Sequence, residues 1–195
     1  MPSKINGLVV EAIGPNGFSN EEKITHIYFL EDSECKLIGP SAFLNCSNLE
    51  IVNLPDSIIA IGDRAFETSF SLTTVPLNDN ILYIGAQAFK GSIIGNKLMQ
   101  VSITGLPANI VGLGIEAFNR GGPNINITTL PLSLIDIGNG AFVNCANVAI
   151  ADFGSDNDDG KVYLSNIPGQ CFQNAGTAKK NLITEIRFRK SIINI

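Results

Sequence analysis

Tryptophan is absent from this 195-residue chain, and histidine occurs once, at His26. A single imidazole removes most His-dependent catalysis and most zinc chemistry. The aromatic residues are 11 Phe and 3 Tyr, which argues against a stacking surface for bases or sugars. Charge is scarce too: 16% of residues are charged and the net charge is −5. A nucleic-acid coat is normally basic, so that class is set aside. The longest uncharged run, Leu98 to Ile115, holds Gln100, Ser102, Thr104, Pro107 and Asn109. It is therefore not read as a membrane span.

The N-terminus, MPSKINGLVV, lacks the apolar core of a signal peptide. As written, the chain is not expected to be secreted. A cell-surface or extracellular place is expected if it is a fragment of a longer adhesin, and a cytoplasmic or virion one otherwise. The four cysteines, Cys35, Cys46, Cys145 and Cys171, form no CxxC pair. They are expected to be reduced, buried thiols, since Cys packs as a small hydrophobe. At this length, with 45% hydrophobic residues, one domain can bury its own core without staples.

A repeat dominates the chain. Phe recurs at 18, 43, 66, 89, 118, 142 and 172. Five residues before each stands an aliphatic residue: Ile13, Ile38, Ile61, Ile84, Leu113, Ile137 and Ile167. Gly follows that residue in six of seven cases, Pro168 being the exception. A fixed inner offset under outer spacings of 25, 23, 23, 29, 24 and 30 defines a 23-residue unit with insertions.

Leu49 to Ser71 is the cleanest unit. Val52 and Leu54, two apart, predict a short strand with one buried face. Pro55 ends it, and Ile58 to Ile61 predict a second extended piece. Gly62 fits a turn with positive φ or close backbone approach. Ala65-Phe66 is expected to start a single helical or 3₁₀ turn, with Phe66 as the core plug. A small residue stands three past Phe in most units, Cys46, Ser69 and Cys145 among them, and reads as interior packing. One unit cannot bury its own apolar face, so the units must stack. The expectation is one solenoid over 1–195, of about seven repeats, with 1–8 as an N-terminal cap.

The run L-x-x-V-x-L-P-x-S-I-x-x-I-G-x-x-A-F-x-x-C resembles the BspA-type, or Treponema-pallidum-type, leucine-rich repeat. Leu49 to Phe66 carries it, and so does Ser133 to Cys145, SLIDIGNGAFVNC. The resemblance implies a right-handed curved leucine-rich-repeat solenoid, mostly β with short parallel strands, and usually not an enzyme. It further implies kinship with bacterial adhesins, host-matrix-binding proteins and surface families of parasitic protists.

No catalytic motif stands against that reading. Asp152-Phe153-Gly154 matches a kinase triplet without the other kinase elements. Four acids in the loop Asp152 to Gly160, namely Asp152, Asp156, Asp158 and Asp159, are a weak calcium candidate whose EF-hand spacing fails. No cofactor is called for. Alternation places Ile51 and Asn53 outward, with His26/Tyr28, Thr74/Pro76, Ile127/Thr129 and Ile150/Asp152 as their counterparts. A second outward column is Ile59, Leu82, Val111, Ile135 and Ile193, apolar where the resembled pattern tends to be polar. Either this column turns inward through local twist, or it is a contact face. Near the C-terminus, Ile192, Ile193 and Ile195 begin an extended piece beside Lys179, Lys180, Arg187, Arg189 and Lys190, which is read as an open edge.

The expected function is a non-enzymatic protein-binding or adhesion module. The alternative is a structural assembly subunit, of a cell-surface array or a virus particle, that self-associates through the apolar column and the C-terminal edge. Neither nucleic acid nor membrane insertion is expected.

Overall fold

A computed structural model describes residues 1–92, 98–149, 164 and 166–176. Among these residues ten short strands follow one another: β1 Lys4–Ile5, β2 Leu8–Val9, β3 Ala12–Ile13, β4 His26–Tyr28, β5 Leu37–Ile38, β6 Ile51–Asn53, β7 Ala60–Ile61, β8 Tyr83–Ile84, β9 Gly112–Leu113 and β10 Asp136–Ile137. Six of them form one parallel sheet in the order β3-β5-β7-β8-β9-β10. Each contributes the aliphatic residue of the Ile-Gly pair in register, Ile13↔Ile38↔Ile61↔Ile84↔Leu113↔Ile137. A second parallel ladder joins β4 to β6, with Ile27↔Val52 inward. The fold is thus a mostly-β solenoid. Among the described residues, the six strands make five turns between β3 and β10. Of the seventh unit, residues 166–176 are described, and its Phe172 still stacks on Phe142.

The core is a column of rings. Phe43, Phe66, Phe89, Phe118 and Phe142 are fully buried. Successive centroids from Phe18 to Phe172 lie 5.3–5.5 Å apart with nearly parallel planes. The rung spacing of parallel strands, roughly 4.8 Å, imposes this stacking. The Ile-Gly glycines serve close approach: a Cβ on Gly62 would stand 2.7 Å from Pro40 N, and one on Gly114 2.2 Å from Ala86 N.

The segment around each Phe is not helical, contrary to expectation. No helix occurs among the described residues. The residue two before each Phe, and in most rungs the one two after it, adopts left-handed φ instead, as at Arg64 (57°) and Thr68 (61°), which flank Phe66. Their N–H groups, and that of Phe66, donate along the solenoid to Ala86, Lys90 and Ala88 carbonyls of the next rung. The residues between them close tight turns, Ala65 N–H to Gly62 O and Glu67 N–H to Arg64 O. A helix would direct every N–H along its own axis. Here the neighbouring rung takes half of them, and those bonds offset the steric cost of positive φ. Asn tolerates that region best among non-glycine residues, and Asn16, Asn20, Asn45, Asn144 and Asn174 hold such positions.

The small residue three past Phe is a donor as well as a filler. Cys46 Sγ donates to Phe18 O (2.9 Å), Ser69 Oγ to Phe43 O (2.7 Å) and Cys145 Sγ to Phe118 O (2.9 Å). Ser57 and Ser133 act alike at the start of the second extended piece. Each hydroxyl contacts two carbonyls of the preceding rung.

At the N-terminus, β1 and β2 form an antiparallel hairpin. Its Asn6-Gly7 turn has both φ values positive, 52° and 80°, as a two-residue type I′ turn requires. Met1 lies along β4, bonding Tyr28 O through its amino group and accepting from Leu30 N–H.

Candidate partner-binding surface

The second outward column is a continuous backbone ladder. Ile59 N–H donates to Lys36 O, Leu82 N–H to Ile59 O, Val111 N–H to Leu82 O and Ile135 N–H to Val111 O, at 2.8–3.0 Å. Local twist does not turn these side chains inward. Ile59 is 44% exposed and Ile135 40%, while Leu82 and Val111 are half-buried. The next residue of each rung forms a second column in the register Leu37↔Ala60↔Tyr83↔Gly112↔Asp136, exposed at Leu37, Tyr83 and Asp136, half-buried at Ala60 and buried at Gly112. Two residues lie between inward Ile58 and Ile61, and so two adjacent columns reach solvent.

Gly112 interrupts the second of these columns. A Cβ there would lie 3.1 Å from Tyr83 Cδ1, so the Tyr83 ring leans over the gap. A shallow groove of about 340 Å³ opens at this place, lined by Asp63, Tyr83, Gly112, Ile115 and Asp136 among others. Asp63 accepts Ala86 N–H at 2.8 Å through one carboxylate oxygen. Asp136 makes no side-chain hydrogen bond or ion pair among the described residues.

On the other sheet, Asn53, His26, Tyr28, Thr74, Pro76 and Thr129 are exposed as expected, and Ile51 is half-buried. His26 stacks on Tyr28 at 5.9 Å. Ile127 requires a correction: it is fully buried. Counting back from Leu130-Pro131 by analogy with Leu54-Pro55 places it outward. The rung is instead registered by the Ile103↔Ile125 bridge. Ile125 and Ile127 both point inward, and Thr128 and Thr129 bulge out before Leu130. One extra residue flips the facing of every side chain upstream of it. Ile150, Ile193, the acids Asp152, Asp156, Asp158 and Asp159, and the C-terminal basic and isoleucine cluster lie outside the described residues.

Nucleophilic chemistry finds little support in the thiols. Burial pushes Cys145 and Cys171 up to about 12 and raises Cys35 and Cys46 as well, so the nucleophilic thiolate is disfavoured. All four are free. Among the described residues no group of three or more His, Cys, Asp or Glu could hold a metal ion, and no helix is long and apolar enough to cross a membrane.

One polar cluster escaped the sequence reading. The Glu116 carboxylate accepts from Gln87 Nε2, Lys90 Nζ and Asn119 Nδ2 at 2.5–2.8 Å. Burial would raise its pKa, but these donors and the Lys90 charge outweigh it and hold the carboxyl below its ordinary value. Gln87 and Glu116 occupy the same left-handed position in consecutive rungs. The alignment of the repeats therefore carried the signal.

Comparison with known proteins agrees with this geometry. No curated protein matches the chain. A leucine-rich repeat protein from T. pallidum is 23% identical, with a TM-score of 0.65, over 92% of this chain and 75% of that one. A leucine-rich repeat protein from Bacteroides ovatus is 20% identical, with a TM-score of 0.57, over 87% of this chain. The chain spans about half of that protein, 46% of its length. At these identities the likeness is one of fold. The sequence model described as BspA type leucine rich repeat region matches residues 11–149 and 96–195, with six copies. With the repeat, the ring column and this match in agreement, the chain belongs to the BspA-type leucine-rich repeat family.

Proposed function

We propose that this chain is a non-enzymatic protein-binding module, used in adhesion, whose contact face is the apolar ladder Ile59, Leu82, Val111 and Ile135. The family supports a protein-interaction or repeat-scaffold role at the coarser level. One observation carries the finer reading: four consecutive rungs place an aliphatic side chain at an outward position, in one hydrogen-bonded column. Scattered exposed aliphatics need no explanation, whereas a contiguous strip on a rigid sheet marks contact sites.

The size of the strip favours a partner segment over a second copy of the chain. From Lys36 to Ile135 it runs about 19 Å at strand spacing, which with two columns gives roughly 200 Å². A stable protein–protein interface needs roughly 800 Å² per partner. The test is a peptide-library selection on the parent protein, counter-selected against the Ile59→Asp/Ile135→Asp variant. Convergent binders lost on the variant, with its thermal transition retained, are the expected result. Binders indifferent to the variant overturn the reading. Light scattering that shows a large assembly dissolved by the same substitutions overturns it in favour of a structural subunit.

A further inference from the structure

The groove beside the ladder has a chemistry of its own. Tyr83, Gly112 and Asp136 are consecutive members of one column. Tyr83 and Asp136 therefore stand two rungs apart, about 10 Å, with no side chain between them. The Tyr83 ring is half-exposed, at 52%, and lies over Gly112. Asp63 and Asp136 line the same groove, and no Lys or Arg forms an ion pair with either among the described residues. Arg64 and Lys90 are engaged with Glu67 and Glu116. The groove thus has an aromatic ring, two carboxylates, an aliphatic wall at Ile115, and no neutralising cation.

We propose that this groove receives a lysine or arginine side chain of the partner. The full surface then reads an extended protein segment of about six residues, apolar along the ladder and basic at its Asp136 end. This rests on the protein-binding reading above and specifies its ligand class. Six extended residues span about 19 Å, the length of the ladder. The segment crosses the strands, whose backbone groups already pair with one another, so side chains carry the recognition. The aliphatic stem of a basic residue lies along Tyr83 and Ile115. Its cationic head meets the ring face and the Asp136 carboxylate, an arrangement that combines cation–π and ionic attraction, while Asp63, three rungs away, adds only to the negative charge of the groove. Lys36, 3.9 Å from Glu11, marks the other end of the ladder, so the two ends differ in charge and orient the segment.

The probes are N-acetyl-lysine methylamide and its uncharged isostere N-acetyl-norleucine methylamide, titrated into the ¹⁵N-labelled protein. The lysine probe is expected to shift the amide signals of Tyr83, Gly112 and Asp136 and to bind about fivefold more tightly than norleucine, as one exposed ion pair allows. Asp136→Asn should erase that difference. The substitution removes no hydrogen bond of the described fold, so folding is retained. Asp63→Asn keeps its acceptor for Ala86 N–H and, three rungs from Asp136, is the control that should leave the lysine preference nearly unchanged. Equal affinity of the two probes, or a lysine preference unchanged in Asp136→Asn, overturns the proposal. If the library selection yields ladder-dependent binders that lack Lys and Arg, the basic pocket fails while the protein-binding reading survives. If no binder depends on Ile59 and Ile135, that reading fails first.

Discussion

Replacing Phe66 by Ala tests the central claim about stability. The ring is fully buried, with Phe43 and Phe89 each 5.3 Å away. Truncation removes its transfer free energy and leaves a cavity, a loss of about 3–5 kcal/mol. The rungs are hydrogen-bonded to one another at every turn, so their ability to collapse into that void is small. Much of the loss should therefore persist after relaxation. Phe18 provides the internal control. It is only partly buried and, among the described residues, its one ring contact is Phe43, so Phe18→Ala should cost roughly half as much. Equilibrium urea unfolding monitored by circular dichroism, with matched m-values, measures both. A Phe66→Ala loss below about 1 kcal/mol, or losses equal at the two positions, would refute the ring column as the source of cohesion.

Four further outcomes follow from the same contacts. Gly114→Ala puts a Cβ 2.2 Å from the Ala86 backbone nitrogen, and should lower stability by at least about 2 kcal/mol in the same urea assay. Cys145→Ser keeps a donor to Phe118 O and should cost less than Cys145→Ala, which leaves that carbonyl with the Gly121 N–H alone. The gap is expected at about 0.5–1 kcal/mol, one net hydrogen bond. The native thiols should resist alkylation at neutral pH, since burial raises all four, and react only after unfolding. Glu116 has a folded pKa below its ordinary 4.5. It therefore contributes stability above that pH and loses it as pH falls through the lowered value. Thermal midpoints of Glu116→Gln should accordingly converge with those of the parent once pH falls through that lowered value.

Much of this architecture is legible in one dimension. The Phe and Ile-Gly offsets recur because each rung must place the same ring and the same close approach at the same height, so the period of stacking is written as a period in sequence. The facing of Ile59 and Ile135 follows from two residues standing between inward Ile58 and Ile61. The tertiary structure decided what depends on neighbouring rungs. The left-handed positions at Arg64 and Thr68 arise because half the N–H groups around Phe66 find acceptors one rung away, which no local propensity anticipates. Ile127 points inward because a bridge from Ile103 sets its register against the analogy of Leu130-Pro131. Cys46 and Cys145 needed the Phe carbonyls of the preceding rung before their donor role could be seen. The notch at Gly112 exists only because Tyr83 and Asp136, distant in sequence, are brought into one column by hydrogen bonds along the solenoid. Sequence specifies what each rung contains, and the pairing between rungs specifies what its surface presents.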